Sequence, residues 1–194
     1  MRETINKIYT RIEDLKDLLQ REKNRLKQPN VNRETILKED ILENIEHLEK
    51  QIKKLKDYLF KIIKEDKKLN IIYNTLINQR GIGEELGLFL LVRIKELGII
   101  KRKQLTSICG LAPIPYKSGT FNGYRYIRCG RKEIRSKMFL CLMNMSRFDE
   151  DTKTKINIFM KRGKSKKITI LTLARKKIVI LNAKVRYVLL AENI

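Results

Sequence analysis

Two heptad seams separated by a helix break leave the first third of this chain little choice of fold. Ile5, Ile8, Ile12, Leu15 and Leu19 step by 3, 4, 3 and 4 residues, and Ile41, Ile45, Leu48, Ile52, Leu55, Leu59 and Ile62 step by 4, 3, 4, 3, 4 and 3. That alternation keeps one narrow apolar stripe along a helix and requires a partner helix to cover it. Between the seams, "KQPNVNRET" places Pro29 and two asparagines where a helix cannot continue. Asn30 or Asn32 offers a side-chain cap for the second helix. The expectation is an antiparallel coiled-coil hairpin over residues 1–64. The second helix also carries Leu42, Phe60 and Ile63 off its seam, so a further apolar partner is expected, as in a homo-oligomer built through the coiled coil.

Charge separates this segment from the remainder. The chain has 194 residues and a formal net charge of +22. Residues 1–64 hold 16 basic and 12 acidic side chains, whereas residues 65–194 hold 28 and 10. Residues 101–137 hold ten basic side chains and one acidic one, Glu133. A lysine-rich composition alone would not concentrate charge in this way; a polyanionic partner would select for it. Cys109, Cys129 and Cys141 form no CxxC pair and read as reduced thiols. The opening "MRETINKIYT" has no apolar core of a signal peptide, and no stretch approaches the roughly 18 apolar residues of a membrane span. A cytoplasmic, nucleoid-associated protein with no membrane partner is therefore expected.

Residues 65–194 read as a second, mainly helical domain. "LNIIYNTLINQRGIGEELGLFLLVRIKELG" is a helix, a turn at Gly81-Ile82-Gly83, and a second helix whose run Leu86–Val92 is core. Glycines on both sides of one apolar residue suit a helix-hairpin-helix element, in which Gly81 and Gly83 open backbone N–H groups to a phosphate; the same pattern also serves as a plain connector. A short helix ending at Gly110 follows, and Pro113 and Pro115 then force extended backbone. Asn122-Gly123 between β-forming residues predicts the turn of a small β-hairpin, with Ser118-Gly119 on its first arm or the approach to it. Ile134, Met138, Leu142, Met145 and Phe148 mark a core helix face. "FDEDTK" over Asp149, Glu150 and Asp151 reads as a loop, with a short helix from Ile156. A flexible basic turn "KRGKSKK" comes next, and a last helix runs from about Ser165 to Leu190 with Ile168, Leu171, Ile178, Leu181 and Val185 inward.

The chemistry-bearing stretch is "YKSGTFNGYRYIRCGRKEIR". Ser118 is followed by Arg125, Arg128, Arg131 and Arg135, with Lys117 and Lys132 beside them. The chain's one histidine, His47, lies in the heptad segment and reads as a solvated surface residue, so Ser-His-Asp chemistry is excluded. A serine that attacks phosphorus has other needs: the charge that develops on the equatorial oxygens is stabilised by cations, arginine doing so bidentately. Ser118 is thus a candidate nucleophile toward a phosphodiester, or else an ordinary turn residue. The six basic residues are candidate phosphate ligands, or else a solvated basic face. Tyr124 and Tyr126 fit hairpin packing, with base stacking as the alternative.

The string "SICGLAPIPYKSGTFNGYRYIRCGRKEIRSKMFLCLMNMS" resembles the C-terminal transposase domain of the IS-one-ten insertion-sequence family, also called the IS116/IS902 type. The resemblance rests on Gly110-Leu111-Ala112-Pro113, Ser118-Gly119, Gly130 and Arg135 in order, with "INQRGIGEELGLFLL" upstream and "KITILTLARKKIVILNA" downstream. It covers roughly residues 68–190, and the heptad segment is similar to the coiled coil that precedes this domain in the family. It implies a DNA recombinase that uses a serine nucleophile, here Ser118, and a structured non-coding RNA to choose its DNA. It further implies a RuvC-like domain whose four acidic residues bind Mg²⁺. This chain opens at the coiled coil, so the acidic domain is expected to lie outside it and the chain itself to hold no cofactor; the chain is then a natural truncation, one part of a split protein or a fragment. The expected partners are DNA, structured RNA, further copies of the chain and a full-length transposase. Two alternatives differ in class: a non-catalytic regulator that binds element DNA or RNA, and a structural coiled-coil protein.

Overall fold

The computed structural model of the chain describes residues 1–29, 34–118, 121–127 and 129–192; for residues 116–118, 121, 122, 124 and 125 the description covers the backbone alone. Among these residues the fold is mainly α, as expected, with eight helices and one two-stranded antiparallel sheet. The chain divides into two compact units, Met1–Asn70 and Ile71–Ile194.

In the first unit, α1 (Arg2–Leu26) and α2 (Thr35–Glu65) pack along one another. Buried positions are Ile5, Tyr9, Ile12 and Leu15 on α1, and Ile41, Ile52, Leu59 and Ile63 on α2. Most of these are seam residues; Tyr9 and Ile63 join them because an undistorted helix drifts against a strict 3.5-residue repeat. Lys23 Nζ meets Glu49 Oε1 at 2.6 Å across the pair. The N-cap of α2 is Glu34, with no side-chain capping bond, and the expected caps Asn30 and Asn32 lie outside the described residues. His47 is exposed, with its Nε2 2.8 Å from Gln51 Nε2. Leu18, Ile36, Leu37 and Leu42 stay exposed on this unit.

Helix α3 (Lys67–Ile77) leads into the second unit, which continues with α4 (Glu84–Arg93), α5 (Arg102–Ile108), β1 (Ile114–Ser118), β2 (Phe121–Tyr126), α6 (Lys132–Phe148), α7 (Glu150–Lys161) and α8 (Lys166–Ala191). Helix α8 packs against α5, α6 and α7, and α6 also packs against α4. The apolar run of α4 is buried from Gly87 to Val92. On α8 the buried face is Thr169, Ile170, Leu173, Ala174, Ile178, Leu181, Asn182, Val185 and Leu189. Ile168 is exposed, contrary to expectation, because Ile170 and Leu173 take the inward positions of the first turns. Phe148, expected inward, is 86% exposed at the end of α6.

Two local readings change. Asp149, Glu150 and Asp151 are not a loop. Asp149 caps α7, accepting from Thr152 N at 3.0 Å, and Glu150 and Asp151 occupy its first turn. Carboxylates belong there, where backbone N–H groups lack intrahelical acceptors and the helix dipole is positive.

The hairpin exists with Ser118 on its first arm, but its turn is elsewhere. Tyr116, Lys117 and Ser118 pair with Gly123, Asn122 and Phe121, and Ile114 pairs with Tyr126. Asn122 and Gly123 therefore sit inside β2, and the connection falls at residues 119–120, which lie outside the described residues. Between the Ile114 and Tyr116 pairs, β1 contributes Pro115 and β2 contributes Tyr124 and Arg125, so β2 carries a bulge. Proline has no N–H for the ladder, and a bulge tolerates it there.

The hairpin's base explains the choice. A Cβ on Gly130 would stand 2.3 Å from Gly110 N and 2.4 Å from Gly110 Cα; one on Gly110 would stand 2.5 Å from Cys129 O. Both glycines have positive φ, +62° and +84°. Arg131 N donates to Ile108 O at 2.7 Å beside this contact. Pairing residue 110 with 130 leads directly to pairing 114 with 126. A turn at Asn122-Gly123 would instead set Pro115 opposite Gly130, which is already occupied by Gly110. Gly130→Ala is expected to cost about 2–4 kcal/mol, because a strained φ and an overlap with fixed backbone add together. Gly163→Ala, at φ +78° with nothing within 4 Å, should cost only about 1 kcal/mol. Chemical denaturation of the two variants checks the contrast, and equal losses would remove the Gly110–Gly130 contact as the determinant.

Candidate nucleic-acid interface

The β-hairpin stands on a base held from three sides. Arg131 Nη2 and Nη1 meet Glu96 Oε1 and Oε2 at 2.7 and 3.0 Å, a bidentate pair, and Nη1 also donates to Arg93 O at 2.6 Å. Arg135 Nη1 donates to Gly110 O at 3.2 Å and to Cys129 O at 3.3 Å. Arg93 Nε approaches Glu133 Oε2 at 3.5 Å. Planar guanidiniums suit this work, since one side chain serves a carboxylate fork and a carbonyl together. The segment carrying Glu96 is itself fixed to α8: Gly98 N donates to Asn182 Oδ1 at 2.7 Å, and Arg186 Nε donates to Gly98 O at 3.0 Å. Asn182 is buried, and nothing in its sequence neighbourhood announced that role.

The sequence-derived site residues thus fall into three groups. Ser118 is the last residue of β1, Lys117 precedes it, and Arg125 lies in the bulge of β2; their backbone positions are described and their side chains are not. Arg128 lies outside the described residues. Arg131 and Arg135 have the intramolecular partners just given, and Lys132 is exposed at the start of α6.

Gly81 and Gly83 form the third group. Gly81 has φ +78°, and a Cβ there would lie 2.3 Å from Met145 Sδ. Its carbonyl accepts from Cys141 Sγ at 3.1 Å, and the neighbouring Arg80 O accepts from Lys177 Nζ. Arg80 Nη2 meets Asp149 Oδ1 at 2.6 Å. The turn is therefore tied to α6, α7 and α8. Gly83 is the N-cap of α4 and has open space around it, but the first turn of α4 holds Glu84 and Glu85. Those carboxylates already complement the helix dipole and oppose a phosphate at the same end.

Burial pushes the Cys109 thiol up to about 12 and raises that of Cys141, so neither is a thiolate nucleophile. All three cysteines are free, with Cys129 exposed. Among the described residues no three His, Cys, Asp or Glu side chains gather closely enough to hold a metal ion. The Mg²⁺ implied by the resemblance does not fit these residues.

Residues 73–157 match the Transposase IS116/IS110/IS902 family. They are a transposase domain of that family. No curated protein matches the chain. The transposase domain runs from Tyr73 in α3 to Asn157 in α7 and includes the hairpin, its clasped base and the Asp149 cap. Its family places it in DNA transposition and recombination. No helix among the described residues is long and apolar enough to cross a membrane.

The clasp has a pH signature. The hydrogen bond from Arg131, ahead of the opposing effect of burial, holds the Glu96 carboxyl below its ordinary value. A lowered folded-state pKa stabilises above the ordinary carboxylate range, near about 4.3, and that stabilisation is lost as pH falls through the lowered value. Because the pair is partly exposed, about 0.5–1 kcal/mol is expected. Glu96→Gln should therefore destabilise at pH 7, and its difference from the parent chain should shrink as pH falls below the ordinary carboxylate range, as measured by urea unfolding at pH 7 and pH 3. A difference that persists undiminished at pH 3 would deny the ion pair its role.

Proposed function

We propose that the transposase domain binds DNA through its β-hairpin and presents Ser118 as the nucleophile that attacks a DNA phosphodiester. The observation that carries this reading is the position of Ser118: it closes the ladder at the tip of a two-stranded hairpin whose base is locked by Gly110, Gly130, Arg131 and Arg135. A nucleophile needs placement within a fraction of an ångström more than it needs a particular fold. In the step itself the serine oxygen bonds to phosphorus as a bridging P–O bond breaks, and the serine's proton ends on the departing sugar oxygen.

In this reading Lys117, Arg125, Arg128 and Lys132 are the phosphate ligands, and Arg131 and Arg135 are positioning residues. The ordering of backbone partners about the two guanidiniums supports that division. The acidic site implied by the resemblance is contributed by another domain, in trans or by fusion, and a structured RNA is a further partner. Work on chromosomal DNA would place the protein in the cytoplasm at the nucleoid. A second reading keeps the clasped hairpin and its basic residues without the cleavage step: a non-catalytic regulator that binds element DNA.

The adduct assay separates the two. Supplied with the acidic domain, the chain should form a covalent protein–DNA adduct, and Ser118→Ala should abolish the adduct while changing affinity less than about threefold, since one neutral hydrogen bond is worth about 0.5–1.5 kcal/mol at most. An adduct that survives the substitution removes Ser118 from the mechanism; binding without any adduct leaves the regulator.

The exposed Leu18, Ile36, Leu37 and Leu42 of the first unit further support self-association through the coiled coil. Sedimentation should show at least a dimer, dissociated by Leu48→Asp with Leu55→Asp, and a clean monomer at high concentration would contradict it.

A further inference from the structure

From the end of the matched transposase residues onward, the chain changes character. Residues 152–191 hold twelve basic side chains and no acidic one. Five of the twelve are used within the protein. Lys153 and Lys155 pair with Glu150 and Asp151, Lys177 and Lys184 reach Arg80 O and Gln79 Oε1, and Arg186 holds the carbonyls of Gly98, Ile99 and Ile100. Five of the other seven gather where α7 turns into α8; Arg175 and Lys176 lie further along α8. Lys161, Arg162, Lys164, Lys166 and Lys167 are all exposed within seven residues of chain.

Lys176, one helix face along α8, joins them through an aromatic ring. Lys164 Nζ and Lys176 Nζ lie 5.0 and 5.1 Å from the centroid of Phe159 on α7. One ring thus has two ammoniums near its centroid, and neither has a carboxylate partner among the described residues. Cation–π attraction orients both but does not cancel their mutual repulsion. A polyanion lying along the exposed cluster would offset it.

We infer that this elbow between α7 and α8 is a second DNA-binding surface that grips the phosphate backbone of a duplex, separate from the hairpin. It rests on the DNA-binding reading above. Duplex is favoured over single strand because Phe159 is the aromatic residue at the centre of the cluster and its ring is taken by lysines, which leaves it unavailable as a stacking platform for an unpaired base. The surface reads no sequence: lysines meet phosphates as point charges.

The test uses the full chain and duplex DNA of unrelated sequences, with affinity measured by fluorescence anisotropy across a salt series. Lys164→Gln, Lys166→Gln and Lys167→Gln combined should reduce the slope of log K against log salt by about 2–3, near 0.9 per lost phosphate contact, equally for every sequence. Arg125→Ala with Arg128→Ala serves as the hairpin variant. An unchanged slope in the elbow variant, with a reduced slope in the hairpin variant, overturns the elbow and leaves the hairpin reading intact. A parent chain whose duplex binding is absent or independent of salt overturns both. Independently of any substitution, bound duplex should protect Lys164, Lys166, Lys167 and Lys176 from amine acylation in the parent chain. Unprotected lysines overturn the elbow, as does protection by single-stranded DNA or anionic phosphatidylserine vesicles but not by duplex.

Discussion

The backbone contact between Gly110 and Gly130 is the constraint on which the transposase domain's site depends. Two segments twenty residues apart approach so closely that neither can carry a side chain on the facing side. Once they meet, the excursion between them has little freedom. Its outgoing and returning arms must pair in a register continuous with that contact, and the bulge in β2 takes up the one residue of mismatch opposite Pro115. Arg131 and Arg135 close the base by holding Arg93 O, Gly110 O and Cys129 O, carbonyls that would otherwise be poorly satisfied beside tightly packed backbone. The position of Ser118 is thus set from the base upward, by backbone geometry at one end of the hairpin and not by contacts at its tip.

How much of this was legible in the sequence depends on the range of the interaction. The coiled coil was legible because a heptad is a local period that repeats, and the buried Ile5, Ile12, Leu15, Ile41, Ile52 and Leu59 all lie on the seams read from it. The start of the final helix near Ser165 was legible as well, and there Ser165 accepts from Ile168 N. The α7 start at Asp149 carried a readable signal too: an aspartate followed by two further acids suits an N-cap and a first turn as well as a loop. The hairpin turn was misplaced for a deeper reason. Asn-Gly is the stronger local turn former, and Gly110–Gly130 is a tertiary contact that no window of a few residues contains. Local propensity yields when a long-range contact fixes the ends.

The site residues follow the same rule. Sequence marks arginine as a donor but not what it donates to. Arg125, Arg128, Arg131 and Arg135 look alike in the chain, yet Arg131 and Arg135 are bound to the protein itself. Glu96, the partner that separates Arg131 from the others, lies 35 residues away. Gly81 and Gly83 fit either a phosphate cradle or a plain connector by their spacing; Met145 packs against Gly81, and the first turn of α4 is acidic. Asn182 and Arg186, which fix the segment carrying Glu96, had no pattern to reveal them, since each acts as a single side chain across more than eighty residues.

Net charge alone therefore overstates the nucleic-acid surface of such a protein. A cation that reaches a backbone carbonyl is part of the fold's own hydrogen bonding, and removing it destabilises the protein before it affects any ligand. Helix α8 shows both uses on one element. Toward its C-terminal half, Lys177, Lys184 and Arg186 are spent on the turns at Gln79–Arg80 and Gly98–Ile100. Toward its N-terminus, Lys166, Lys167 and Lys176 have no such duty, and the helix N-terminus adds its own partial positive charge to theirs. Packing has divided the basic residues of α8 by face, even between the adjacent Lys176 and Lys177: where a side chain meets a covered turn it holds the fold together, and where the helix emerges it stays exposed.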